Sequence, residues 1–353
     1  MIDVHVHLRD GRQAAKETIL HGLQVASALG ITAVCDMPNT DPPLTHRLAV
    51  LDRLALGAQA VAQLGKEFFY GVYLGVTADD EQLCEVVDLY RELSPQVVGL
   101  KLFAGHSTGN MGLTTEEQQQ QVYRQLAHMG YTGVLAVHCE KESLMHPELW
   151  DPQIPESHLL ARPPEAEIAS VSDQITFARQ AGFPGTLHIC HISTEKAIAL
   201  VADAQKHGMR ITCGATAHHA LLDEHLAKTP GHLCKMNPPL RCAADRDAVF
   251  SALCDGTIDW IESDHAPHTL VDKAKGASGV PGFAGTALLI RALRHAGVSE
   301  DHMKRLCGER AAEVFHLSSP VKVPDERQIH QIITFLRKSY PYDSFATIGN
   351  KDN

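Results

Sequence analysis

Asp3-Val4-His5-Val6-His7-Leu8-Arg9 stands at the start of the chain and decides how the rest is read. Alternation on a strand puts the two histidines on one face and Val4, Val6 and Leu8 on the other. An apolar strand that carries polar residues on one face and at its end recurs downstream. Strand-like segments fall at 2–8, 32–37, 68–76, 97–103, 134–138, 185–191, 210–216 and 258–263. Helical periodicity runs between them at 14–29, 47–64, 81–93, 115–128, 165–181, 195–207 and 245–254. Eight alternations predict an α/β chain folded as a TIM-like (β/α)8 barrel, with an open doubly wound sheet as the rival. A short C-terminal helical extension at 301–317 would complete a barrel domain over 1–317, leaving a tail at 318–353 without an assigned role. The connections 139–164 and 217–244 are long, and long loops in compact folds are usually functional.

Composition sets the class of partner. The 353 residues are 44% hydrophobic and 21% charged, ordinary globular values. Lys plus Arg number 31 against 42 Asp plus Glu, a net charge of −11 with the basic residues scattered. This excludes an electrostatic footprint for nucleic acid or an anionic membrane. Nine cysteines without a C-x-x-C pair suggest reduced thiols and a cytoplasmic location. No apolar run reaches spanning length and no leader is expected. The outlier is histidine, with 22 copies, several of them closing apolar runs.

Those histidines define a candidate metal centre. His5 and His7 point the same way from one strand. Lys101 lies near the end of the apolar strand Val97-Val98-Gly99-Leu100-Lys101-Leu102-Phe103, where a buried amine is costly unless neutralised or paired. Taking up CO₂ would make it a carbamate able to bridge two cations. His138 ends one strand and His191 another; His188 has the opposite parity to His191, so only one of those two should face inward, and the later His191 is chosen. Asp264, after the eighth strand, suits a ligand or a proton carrier. The set His5, His7, carbamylated Lys101, His138, His191 and Asp264 offers N and O donors for two Zn²⁺ ions bridged by the carbamate and a hydroxide. Their net charge of about +1 favours an anionic ligand. Arg9 and Asn39 supply a guanidinium and an amide for a small-molecule carboxylate.

With these residues in place, the sequence resembles the dihydroorotase family of the amidohydrolase superfamily. The resemblance rests on Asp-Val-His-Val-His-Leu-Arg-Asp at 3–10, Met-Pro-Asn-Thr at 37–40, Gly-Leu-Lys-Leu-Phe at 99–103, Val-His-Cys-Glu at 137–140, His-Ile-Ser-Thr at 191–194, Asn-Pro-Pro-Leu-Arg at 237–241 and Ser-Asp-His-Ala-Pro-His at 263–268. It implies that His5, His7, Lys101 and Asp264 hold one zinc and Lys101, His138 and His191 the other. Arg9, Asn39 and His268 would grip the substrate carboxylate, and backbone groups near Asn237 and Gly282 would touch the ring. Thr108 would belong to a loop closing over substrate.

The implied reaction is reversible opening of the cyclic amide of dihydroorotate to N-carbamoyl-aspartate in pyrimidine biosynthesis, with a bridging hydroxide attacking and Asp264 as general base and then acid. A compact, barrel-only, homodimeric form is expected, because the larger members build a second domain partly from residues upstream of the first strand. Where the family often has a glutamate before Thr-Ala-Leu, this chain has Gly285. The rivals are an allantoinase- or dihydropyrimidinase-type enzyme, whose substrates lack the carboxylate, and a metal-free scaffold subunit.

Overall fold

The computed structural model describes residues 1–107, 111–229 and 232–348. Nine strands are present: β1 Ile2–Val6, β2 Ala33–Asp36, β3 Phe69–Gly75, β4 Val97–Ala104, β5 Gly112–Leu113, β6 Val134–Cys139, β7 Thr186–Ile189, β8 Ile211–Ala215 and β9 Trp260–Ile261. Eight of them run in the parallel order β1-β2-β3-β4-β6-β7-β8-β9, and the two-residue β5 pairs with β4. The seam between β9 and β1 is closed by the parallel bridge of Val6 to His265, where the His7 N–H donates to the His265 carbonyl at 2.7 Å. The result is the nearly closed (β/α)8 barrel expected, and an open sheet is excluded.

The barrel strands are mostly apolar and buried along nearly their whole length, as parallel strands covered by helices must be. Ile2, Val4, Ala33, Cys35, Tyr73, Val98, Ala136 and Trp260 form one apolar cluster. Residues from strands all around the ring can touch only inside it, so this cluster fills the barrel beneath the site. Phe315, from the helix Arg310–Phe315, closes it below, its ring 6.1 Å from Tyr73 and 5.9 Å from Trp260. Val6 and Leu8 belong instead to the larger core between strands and helices.

The first helix starts at Ile19, later than the periodicity suggests, because the Thr18 side chain caps it by accepting from the His21 N–H. The long connections fold into short helical pieces, among them Ser157–Ala161 and Ala217–Leu221. Within the tail, Asp325 caps a helix Glu326–Lys338, and the segment after it is buried through Tyr340, Tyr342, Ser344 and Phe345. No helix among the described residues is long and apolar enough to cross a membrane.

Candidate metal centre

One cavity at the C-terminal ends of the strands is lined by all six proposed ligands, His5, His7, Lys101, His138, His191 and Asp264. Arg9, Asn39 and Asn237 line it as well. His5 Nε2 lies 3.3 Å from His7 Nε2, and Asp264 Oδ1 lies 3.4 and 3.0 Å from these two atoms. Donors about 2.1 Å from one zinc in a tetrahedron sit roughly 3.4 Å apart, so the three atoms already have the spacing of a coordination face. Across the cavity, His138 Nδ1 is 3.2 Å from His191 Nε2. The rings of His5 and His191, 5.0 Å apart, join the two groups.

The hydrogen bonds behind these side chains test whether a cation fits. His7 Nδ1 meets Asn39 Oδ1 at 2.7 Å, and His138 Nε2 meets Glu140 Oε2 at 2.8 Å. An oxygen acceptor there requires the proton on that nitrogen, so the opposite nitrogen presents a lone pair to the cavity. His5 Nδ1 lies 3.4 Å from Glu262 Oε1 without a hydrogen bond between them. The cavity therefore gathers imidazole nitrogens and a carboxylate within a few ångströms of one another, a donor set that suits a cation.

Electrostatics agrees. Burial, then the neighbouring His138, His5 and Lys101, holds His191 well below the usual imidazole pKa, so it is a neutral ligand. Burial would raise Asp264, yet its bond to His7 and the charges of His5 and His7 outweigh that and keep it ionised. Burial likewise opposes the charge on Glu140, but Arg162 and His138 draw its carboxyl down to about 2.

Lys101 is fully buried within β4, and its Nζ donates to Cys190 Sγ at 3.0 Å. Among the described residues no carboxylate pairs with it. Its ammonium would be buried with only the Cys190 sulfur beside it and no carboxylate, whereas a carbamate at the same place would face cations.

Backbone conformation matters at two ligands. His191 and Asp264 have φ of 36° and 45°, a left-handed region costly for residues with a Cβ. For His191 this undoes the parity argument. His188 points inward on β7, bonding Thr212 and Glu262 and packing on Trp260 at 4.7 Å. β7 ends at Ile189, and the left-handed turn then brings His191 inward too, so both histidines face the interior.

The substrate-side residues divide. Arg9 is buried, lines the cavity and makes no ion pair among the described residues; its Nε has no hydrogen-bond partner. Asn39 lies beside it, its Oδ1 engaged with His7. Asn237 reaches the cavity, its Oδ1 near His158 Nε2 at 3.0 Å.

His268 and Gly282 depart from expectation. His268 Nε2 donates to the Ser278 carbonyl at 2.9 Å, and His268 is not among the residues lining the cavity. The Gly282 N–H donates to His265 Nδ1 at 3.1 Å and is spent there; this residue is a glycine because a Cβ would meet the Ser263 carbonyl at 2.3 Å. Ser278 and Gly279 line the cavity instead. Thr108 lies outside the described residues.

Sequence reasoning missed two carboxylates. Glu262 contacts His5 and His188 and accepts from the His191 N–H, and Glu140 holds His138 and pairs with Arg162. Both sit two residues from a ligand, on the same strand face or its continuation, and that spacing was the available signal.

No protein-family model matches the chain. Among curated proteins it is 35% identical over 288 residues to dihydroorotase from Brevibacillus brevis and 34% identical over 288 residues to that from Geobacillus thermodenitrificans. These alignments cover 80% of this chain and 63% and 62% of those proteins, so the chain spans under two thirds of their length. The L-hydantoinase (dihydropyrimidinase) of Arthrobacter aurescens superimposes with a TM-score of 0.73 at 21% identity, over 92% of this chain and 73% of that one. A dihydropyrimidinase from Brevibacillus agri gives 0.72 at 21% identity, over 92% and 72%. The chain is therefore similar in sequence to curated dihydroorotases over most of its length, and it has the barrel fold of these dihydropyrimidinases.

Proposed function

We propose that the protein is a dihydroorotase, a hydrolase that reversibly opens the cyclic amide of (S)-dihydroorotate to N-carbamoyl-L-aspartate. The observation that carries this reading is one cavity lined by six metal-ligand candidates and by the buried Arg9, which makes no ion pair among the described residues. The metal would be zinc, two ions: His5, His7 and Asp264 would hold one, His138 and His191 the other, with Lys101 as a carbamate between them. Bound there, the ions would supply Lewis acidity and make a water acidic enough to attack at neutral pH.

The chain's own groups do the rest. Arg9, buried and making no ion pair among the described residues, binds the substrate carboxylate and orients the ring. Asn39 fixes the His7 tautomer. Asp264, kept ionised, accepts a proton from the attacking water and returns it to the leaving ring nitrogen. Glu140 holds His138 with its Nδ1 lone pair inward, and Glu262 accepts from the His191 backbone N–H. The same reading makes the protein a cytoplasmic homodimer in pyrimidine biosynthesis, consistent with its unpaired cysteines.

The test is hydrolysis of dihydroorotate before and after chelation, with zinc restored, run beside dihydrouracil. Turnover of dihydroorotate that vanishes on chelation and returns with zinc is expected. A zinc-loaded protein that turns over only dihydrouracil would make it a dihydropyrimidinase-type enzyme, and a protein that neither binds zinc nor hydrolyses would make it a scaffold.

A further inference from the structure

His265 follows Asp264 and is held on every side. Its N–H donates to Ser263 Oγ at 3.1 Å, its carbonyl accepts the His7 N–H at 2.7 Å, and its Nδ1 accepts the Gly282 N–H at 3.1 Å. The ring stacks on Phe283 with centroids 3.9 Å apart and planes 10° from parallel. With Nδ1 an acceptor, the proton lies on Nε2. That N–H faces Glu17 Oε1 at 3.2 Å and Oε2 at 3.3 Å, and the Tyr340 hydroxyl at 3.0 Å. The Tyr340 hydroxyl in turn donates to Glu17 Oε1 at 2.6 Å. Glu17 and His265 belong to the loops after β1 and β9, whereas Tyr340 comes from the tail. All three are buried.

We infer that Tyr340 is a positioning residue for the metal centre, acting through Glu17 and His265 to set where His7 and Asp264 present their donor atoms. This rests on the proposed metal-dependent reading of the cavity. The argument is mechanical. Asp264 holds a left-handed φ of 45°, a conformation that persists only where its surroundings impose it. Its C-terminal neighbour supplies that constraint, and the same neighbour's carbonyl fixes the backbone of His7. The imidazole of His265 is the handle, and the Tyr340 hydroxyl completes its buried hydrogen-bond set. Without that hydroxyl, Glu17 loses its shortest donor and Nε2–H one of its acceptors, at buried groups whose unmade hydrogen bonds are costly. The tail thereby reaches the chemistry without touching it.

The rest of the tail is anchored independently. Ser344 Oγ donates to the Leu233 carbonyl at 2.6 Å, and Phe345 lies against Gly285. This separates holding the tail down from positioning the site. In the full chain, Tyr340→Phe keeps the ring and removes only the hydroxyl, while Ser344→Ala removes an anchor with no path to His265. Zinc affinity, by competition with a chelator, is expected to fall about tenfold in Tyr340→Phe, the lower end of what loss of an outer-sphere partner does. Its kcat should fall comparably while KM for dihydroorotate stays within twofold, and exchange of the His7 amide hydrogen in zinc-free protein should quicken. Ser344→Ala should leave all four readouts within twofold. The inference is overturned if the two variants match in His7 exchange and zinc affinity, or if only thermal stability changes. Because His7 exchange needs neither zinc nor substrate, a wild-type protein inactive toward dihydroorotate would end the proposed activity while His7 still decides the role of Tyr340.

Discussion

Glu140 accepts from His138 Nε2 at 2.8 Å and is itself pinned by Arg162, so one buried carboxylate determines which nitrogen of His138 looks into the cavity. Glu140→Gln could present its amide N–H₂ to that nitrogen and invert the tautomer. Zinc affinity is expected to fall 10- to 100-fold, measured by chelator competition, with secondary structure intact by circular dichroism. On the proposed reading, in which the guanidinium serves the substrate rather than the ions, Arg9→Ala should raise KM for dihydroorotate at least tenfold with metal content unchanged; unchanged kinetics would favour a substrate without a carboxylate.

Glu17 titrates in the opposite direction to an ordinary buried acid. Burial raises its pKa, but His265 and the hydrogen bonds from His21, His265 and Tyr340 draw it from 4.5 to about 2. A depressed acid contributes stability that is present above its unfolded value and lost as pH falls toward the folded one. The destabilisation caused by Glu17→Gln should therefore be greatest at pH 7 and shrink between pH 4.5 and pH 2, as urea unfolding at several pH values would report.

Lys101, His138 and Asp264 were legible because each is a polar residue in, or just past, an apolar strand. Glu140 and Glu262 were not, since a carboxylate near a strand end resembles a rim residue until its partners are known. His268 shows the converse: its place in a motif suggested a grip, but it donates to Ser278 and does not line the cavity.

Strands and helices obey simpler rules than sites do, and here periodicity located all eight barrel strands. It overextended β9, which as a ladder comprises only Trp260–Ile261, because pairing there passes to the loop at His265. Parity failed at His191, where a left-handed residue past the strand end defeats alternation. The tail helix Glu326–Lys338 lay in a tail left without a role, since its fastening depends on distant partners. One of those is Gly285, in the helix Phe283–His295: a Cβ there would lie 2.1 Å from the buried Phe345 ring. Gly285→Ala gains helix propensity of up to about 1 kcal/mol but forces that ring aside, and overpacking typically costs about 1–3 kcal/mol. The expected outcome is a Tm lower by a few degrees and faster proteolysis of the tail, read by calorimetry and timed digestion.

For the whole molecule, the donors of the site come from β1, β4, β6 and the loops after β1, β7 and β9, so seating ions there ties together strands around the ring. Ligands that bind only the folded state stabilise it by RT ln(1 + [L]/Kd), about 4 kcal/mol at a thousandfold excess over Kd. Stripping the metal should lower Tm by several degrees and zinc should restore it; a Tm indifferent to both would mean that the cavity holds no ion.

The seam between β9 and β1 gives that coupling a location. The ring is fastened there by His265, wedged between a ligand on its own chain side and the backbone of another across the gap. Closing the cylinder and aiming the ligands are thus a single mechanical act. A cation at His5, His7 and Asp264 would work as a rivet through the joint, and a sprung joint would lose its catalyst before it lost its shape.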